Sequence, residues 1–297
     1  MFQHRTHPVN GVTIHAAHAG PPDAPVLLML HGFPEYHAAW ADVAERLADR
    51  YHCVLPDQRG YGASSKPPAV EDYAPRHLAA DMAALLDAVS PDRPVVLAGH
   101  DWGASVAYAL AFRHPERIAK LVIANGVHPM TFQRALLAGG AQTAASQYMH
   151  VLRDPASDAR MAEDGHRRTF GMLERFSAAP WLTAERRAAY AQAWEGALPT
   201  MLHWYRATPL VVPRPDDPPQ PFPFTAEMRA RYRVPMPHLV LWGTADTALL
   251  PEAREGLEEF CDELTVQEIE GASHWLLHEH PNEVAGAMRE WLERIGN

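Results

Sequence analysis

The chain has 297 residues, enough for one large domain or for a core that carries an insertion. A formal charge of −10 argues against nucleic acid or an anionic membrane surface as partner, and 47% hydrophobic with 21% charged residues is the balance of a globular protein rather than a disordered one. Residues 1–10 are polar and lack the apolar stretch of a signal peptide, no run is long enough to span a bilayer, and Cys53 and Cys261 lie in or beside apolar stretches as reduced thiols do, so a cytoplasmic location is expected.

Residues 12–18 alternate apolar and polar side chains, as a half-exposed edge strand does. After the Gly20-Pro21-Pro22-Asp23 turn, residues 26–30 form an unbroken apolar run, a buried strand, that ends in His31-Gly32-Phe33-Pro34-Glu35. Trp40, Val43, Ala44 and Leu47 then keep helical spacing. Residues 53–56 form the next strand and lead into Asp57-Gln58-Arg59-Gly60-Tyr61-Gly62-Ala63-Ser64. Leu78, Met82, Leu85, Leu86 and Val89 mark a second amphipathic helix, and residues 95–98 and 121–124 read as further buried strands. Strands alternating with helices in this way predict an α/β fold, a mostly parallel sheet with helices on both faces.

From residue 128 to about 225 the rhythm changes. Helical stretches rich in Ala, Arg and Glu, with Trp181, Trp194 and Trp204 among them, replace the apolar strands, and residues 212–224 read as a Pro-rich extended return. The strand pattern resumes at 237–243 and 264–269, and Val284, Met288, Trp291 and Leu292 mark a closing helix. The expected organisation is an α/β core in two parts, 1–127 and 226–297, split by a helical insertion, 128–225.

The chemistry centres on Gly99-His100-Asp101-Trp102-Gly103. A buried strand runs into a glycine, an acid and a second glycine, and small residues (Gly103, Ala104, Ala107, Ala111) follow at helical spacing. This is the small-x-nucleophile-x-small layout of a nucleophile elbow, with Asp101 in the place usually held by serine. A carboxylate is ionised at neutral pH and attacks without a base, so it suits displacement at an sp3 carbon, with an alkyl ester of the enzyme as product. An isolated Asp in such a turn is more often a helix N-cap. Its company along the chain argues otherwise. Asp246 follows the strand at 237–243, and His274 follows the one at 264–269, in the elbow-enzyme order of nucleophile, acid, histidine. Loops at the carboxyl ends of parallel strands converge on one rim, where Asp246 would hold one tautomer of His274 and His274 would take a proton from water. His274, His278 and His280 are close in sequence but lack the His-Glu-x-x-His signature, so no metal is expected there.

Over nearly its whole length the sequence resembles the α/β-hydrolase-fold epoxide hydrolases. The resemblance is carried by His31-Gly32-Phe33-Pro34-Glu35, residues 57–64, Gly99-His100-Asp101-Trp102-Gly103, His114-Pro115-Glu116-Arg117 and Gly271-Ala272-Ser273-His274-Trp275. The first and third of these are shared with haloalkane dehalogenases. Epoxide hydrolases carry two cap tyrosines that hold and protonate the epoxide oxygen, and the contexts Ser146-Gln147-Tyr148-Met149 and His203-Trp204-Tyr205-Arg206 match them. The resemblance implies an epoxide hydrolase that forms a vicinal diol, with Asp101, Asp246, His274, Tyr148 and Tyr205 as catalytic residues. It also implies an oxyanion hole from the backbone N–H groups of Phe33 and Trp102, with the His31 side chain bracing the turn. Phe33, Trp102, Tyr148 and Tyr205 would contact substrate.

No cofactor is implied; the partners would be a small apolar epoxide and water, and a homo-oligomer is compatible with the sequence. Phe33, Trp102, Trp181, Met201, Leu202 and Trp204 are candidates for an apolar pocket or for packing inside the insertion. Two alternatives carry their own signatures. A haloalkane-type dehalogenase would use the same triad and need two halide donors, for which Trp102 and a cap tryptophan are the candidates; fluoroacetate dehalogenases place arginines where Trp102, Ala104 and Ser105 stand. A non-catalytic ligand receptor would be missing a member of the constellation, and none is missing.

Overall fold

The computed structural model describes residues 2–295. Its strands are β1 (Gln3–Val9), β2 (Val12–Ala19), β3 (Val26–Leu30), β4 (His52–Pro56), β5 (Val95–His100), β6 (Ile118–Ala124), β7 (His238–Gly243) and β8 (Leu264–Ile269). They form one sheet in the order β1-β2-β4-β3-β5-β6-β7-β8. The pairs β1/β2 and β2/β4 are antiparallel, and every pair from β4 to β8 is parallel.

Strands β3, β4, β5 and β7 are buried at every position because both faces are covered. Leu28, Leu30, Val54, Leu97 and Ile123 point into one core, while Leu27, Met29, Cys53, Leu55, Val96 and Val122 point into the other. Helices α1 (Ala41–Leu47) and α12 (Pro281–Arg294) cover the second face through Val43, Leu47, Met288 and Trp291. Helices α2 (Pro75–Val89) and α3 (Trp102–Arg113) cover the first through Leu78, Met82, Val106 and Leu110.

Between β6 and β7 the described elements are all helices: α4 (Pro129–Leu137), α5 (Ala141–Ala145), α6 (Tyr148–Arg153), α7 (Ser157–Arg175), α8 (Ala184–Trp194), α9 (Leu198–Ala207) and α10 (Ala226–Arg231). Helix α7 breaks at 163–166, where φ turns positive at Asp164, Gly165 and His166. A short α11 (Leu276–Glu279) follows β8. Indole and hydroxyl groups fasten these helices to the first loops of the sheet. Trp194 Nε1 donates to Pro34 O (2.5 Å), Trp204 Nε1 to Arg59 O (3.1 Å) and Thr200 Oγ1 to Gly60 O (2.7 Å).

One expectation needs correction. The strand read at 12–18 is not the sheet edge, because β1 pairs along its whole length and takes that place. β1 escapes the apolar pattern because only Val9 in it is buried; the rest of Gln-His-Arg-Thr-His-Pro-Val is exposed or half-buried. Cys53 is buried, Cys261 half-buried, and both are free thiols whose pKa burial raises to about 12. No helix among the described residues is long and apolar enough to cross a membrane.

Candidate active site

The turn from β5 into α3 holds Asp101 at φ 50°, ψ −120°, a left-handed conformation that costs a non-glycine residue about 1–3 kcal/mol. The neighbourhood enforces it. Asp101 N donates to Asn125 O (3.1 Å) and Ala104 N to Asp101 O (3.0 Å). Glycine is required at two flanking points: a side-chain carbon on Gly103 would collide with the carbonyl oxygens of Leu30 and His31, and one on Gly32 with the Asp101 side chain. The sheet end and the His31–Phe33 turn thus press directly on the strained acid.

The sequence-predicted residues of the parallel-strand rim come together. His274 Nε2 lies 3.4 Å from Asp101 Oδ2, and His274 Nδ1 lies 2.8 Å from Asp246 Oδ2. Asp246 is oriented in turn by Ala248 N (2.7 Å) and Leu249 N (2.9 Å), both donating to its Oδ1. Burial by itself would make His274 less basic; the charges of Asp246 and Asp101 and the hydrogen bonds to them outweigh it and raise the pKa to about 10. Phe33 N donates to Asp101 Oδ1 (2.8 Å), and Trp102 N, in the first turn of α3, has no intrahelical acceptor. His31 is fully buried and braces its turn, receiving Gln58 N at 3.1 Å while its Nδ1 lies 2.9 Å from Gly32 O.

Tyr148, at the start of α6, and Tyr205, in α9, stand over the acid. Their ring centroids are 6.4 Å apart; Tyr205 packs edge-on against Phe33 (5.1 Å) and Trp102 (5.0 Å), and Tyr148 against Phe176 (5.8 Å). Burial first, and then the charge of Asp101 among the neighbouring groups, pushes both phenols well above their ordinary pKa. The helical segment's indoles point elsewhere. Trp181 Nε1 donates to Ser177 Oγ (3.0 Å), while Trp194 and Trp204 are engaged with the sheet loops as described.

Five further residues, Asn125, His100, Glu35, Tyr190 and His278, complete the constellation and were not singled out from the sequence for this part. Asn125 ties three strand ends together: its backbone O receives Asp101 N, its Nδ2 donates to Ser273 O (2.7 Å), and its Oδ1 accepts from Gly243 N (2.7 Å). His100 Nε2 lies 2.8 Å from the backbone O of His274, and its Nδ1 lies 3.1 Å from Glu35 Oε2. Glu35, for which the sequence suggested only a turn role, is fully buried. Burial would raise its pKa, but hydrogen bonds from His100 and His278 hold the carboxyl well below the usual range. Tyr190 OH (3.0 Å) and His278 Nε2 (2.7 Å) donate to its other oxygen. His278 receives Arg186 on Nδ1 (3.2 Å) and stacks on Trp181 at 4.0 Å, so it is fully engaged. The only signal for Asn125 was its place at a strand end.

A cavity of about 1040 Å³ is lined by Trp102, Ala109, Phe112, Val127, Phe132 and Met228 among others. Of the pocket candidates read from the sequence only Trp102 lines it. Trp181, Met201, Leu202 and Trp204 are packed in the core, where helical spacing alone could not separate them from a lining.

The model of the family described as alpha/beta hydrolase fold matches residues 25–281. The AB hydrolase superfamily protein YfhM of Bacillus subtilis is 31% identical, over 96% of each chain. Epoxide hydrolase 1 of Caenorhabditis elegans is 30% identical, over 95% of this chain and 68% of its own. The chain belongs to the epoxide hydrolase family of α/β-hydrolase-fold proteins. A solved structure described among novel epoxide hydrolases from metagenomes of hot environments superposes on this family member with a TM-score of 0.89, at 36% identity, over 98% of this chain and 99% of that one. The eight-stranded sheet and the helices inserted after β6 are therefore the family's architecture in this chain.

Proposed function

We propose that the protein hydrolyses an apolar epoxide to a vicinal diol through an ester on Asp101, with residues 128–225 acting as a cap over the α/β core. The observation that carries this reading is the pair of phenols, half-buried Tyr148 and buried Tyr205, whose ring centroids lie 6.4 Å apart beside the Asp101 carboxylate. A phenol held above its ordinary pKa stays protonated at neutral pH and can hydrogen-bond an epoxide oxygen without ionising first.

Asp101 Oδ1 is occupied by Phe33 N–H, which leaves Oδ2 as the attacking atom. Oδ2 bonds to a ring carbon, the ring C–O bond breaks, and the departing oxygen takes a proton from one of the tyrosines. The products are a hydroxyalkyl ester and a tyrosinate. Esterification removes the Asp101 charge, so the resting proton of His274 passes to the tyrosinate; His274 then removes a proton from water, and hydroxide adds to Cγ of Asp101. The oxyanion forms on Oδ1, where Phe33 N–H already points and Trp102 N–H is available as second donor. Collapse breaks the bond between the carboxyl carbon and the alkyl oxygen, which takes the proton from His274; the carboxyl proton then returns to His274. Epoxide and water are consumed, one diol leaves, and every group regains its starting state.

A halide in place of the alkoxide would need a second N–H donor beside Trp102, and the indole N–H groups of Trp181, Trp194 and Trp204 are all taken by other oxygens. The test is a paired assay on purified protein with styrene oxide and 1-bromobutane. Diol without bromide is expected; bromide without diol would transfer the site to dehalogenation.

A further inference from the structure

The chain has 18 histidines, and six of them gather on the β1–β2 hairpin and the elements beside it. The hairpin register puts His4 and His15 on one face and His7 and His18 on the other. We infer that the first face, His4, His15 and His37 backed by Asp57, is a binding site for a zinc-class divalent ion. This site lies outside the Asp101 constellation and goes beyond the epoxide reading.

Three imidazole rings crowd together on this face. The ring centroids of His4, His15 and His37 form a nearly equilateral triangle with sides of 5.1, 5.1 and 5.3 Å. The centre of such a triangle is roughly 3 Å from each ring centre, the separation expected when an ion sits ~2.0–2.1 Å from a ring nitrogen. His15 Nε2 and His4 Nδ1 are 3.1 Å apart, close to the roughly 3.3 Å between two nitrogens on one tetrahedral ion.

Asp57 supplies the outer layer. Its Oδ2 accepts from His15 Nδ1 and its Oδ1 from His37 Nδ1, each at 2.8 Å, so both rings carry the proton on Nδ1 and have Nε2 as the unprotonated nitrogen. That of His15 meets His4 Nδ1 at 3.1 Å, where the ion would take the place of the shared proton. A carboxylate behind a histidine in this way fixes the tautomer and raises the donor strength of the outward nitrogen. Asp57 is itself fixed by His37 N (2.8 Å) and Ala63 N (2.9 Å), and the nearby Lys66 is turned onto the carbonyls of Gly62 and Ser64. One ligand atom from each of His15, His37 and Asp57 lies within 4.8 Å of the others.

The other face of the hairpin is the internal control. His7, His18 and His52 are also chained, at 3.1 and 3.0 Å, but among the described residues no carboxylate accepts from any of these rings. The charge felt by all three is that of Arg5, not of a carboxylate. A cation is favoured on one face and opposed on the other. Imidazole donors select zinc, nickel or copper over calcium or magnesium, which take oxygen ligands. The ion would fasten the edge hairpin to the loop that carries Glu35 and to the Asp57 turn, a structural role.

The experiment is calorimetric titration of tag-free, EDTA-treated protein with Zn²⁺, with melting temperature read in parallel. One equivalent bound at the micromolar level or tighter, a Zn²⁺-dependent rise in melting temperature, and at least a ~10-fold loss of affinity in His4→Gln and in His37→Gln are expected. His7→Gln should bind as the parent does. No saturable binding below ~1 mM, or equal binding in the parent and the His4→Gln/His37→Gln double variant, would overturn the site. The 3.1 Å contact would then be a hydrogen bond between two imidazoles.

Discussion

Asp101 sits between two sides built by different means. Below it, Asp246, His274, Asn125 and His100 come from strand ends and are locked by polar contacts, each reaching a neighbour at 2.7–2.8 Å. Above it, Tyr148 and Tyr205 come from two separate helices and are held mainly by ring packing, at centroid separations of 5.0–6.4 Å. The polar side can carry charge, because every charged group there has a partner in place before substrate arrives. The aromatic side is suited to the opposite task of keeping two hydroxyls protonated beside a carboxylate. Charge below and withheld charge above are what a strained cyclic ether needs to open.

Substitutions can break this contrast one side at a time. The largest effect belongs to Asp101→Asn, which should lower steady-state diol formation by at least ~10⁴-fold, measured against an unchanged thermal melt. On the aromatic side, Tyr148→Phe and Tyr205→Phe should each slow single-turnover ester formation by about 10²-fold, and the double variant by about 10⁴-fold, while hydrolysis of preformed ester changes little. A double variant that alkylates at the parental rate would reduce the tyrosines to packing.

A smaller loss is expected from Glu35→Gln, which removes the charged acceptor between His100, His278 and Tyr190. It should cost roughly 2 kcal/mol of unfolding free energy in urea and slow the His274-dependent step more than ester formation. An equal effect on both steps would mean that the network supports the fold alone.

The dependence on pH follows from two opposite sets of histidines. His274, whose pKa is raised against its burial by Asp246 and Asp101, stabilises the fold fully below its unfolded value of about 6.5, and that contribution fades as pH rises through about 10. Burial keeps His18 and His238 neutral down to about 3, and His128 down to about 4. The unfolded chain binds protons that these three refuse, so stability should also fall as pH drops from about 6.5 toward 4. Urea midpoints should therefore peak near neutrality. Esterification of Asp101 also removes one of the charges that raise His274, so the ester-hydrolysis rate should rise with pH and level off below the resting pKa of about 10. A midpoint that climbs steadily from pH 6 to 10 would contradict this assignment of charge.

What the sequence made legible divides along the same line. The strand-end residues could be read because position, order and residue type all depend on local pattern: an apolar run, a glycine, then Asp101, Asp246 or His274. The two tyrosines were visible only through resemblance, since a tyrosine that donates a proton and one that fills a core have the same spacing on a helix. Trp181, Met201, Leu202 and Trp204 show the cost of that ambiguity, being packing where a lining was an option. β1 lacked any apolar alternation, so its pairing with β2 is a tertiary fact. Asn125 and the partners of Glu35 were out of reach for another reason. Their roles lie in contacts between residues 65 to 243 positions apart, which no local pattern encodes.

The most direct test of the account is the intact mass of His274→Gln protein after incubation with styrene oxide, with Asp101→Asn treated alongside. The account predicts a stable increase equal to the substrate on the first, mapped to the peptide that contains Asp101, and none on the second. Normal turnover by His274→Gln without an adduct, or an adduct of equal yield on Asp101→Asn, would contradict it.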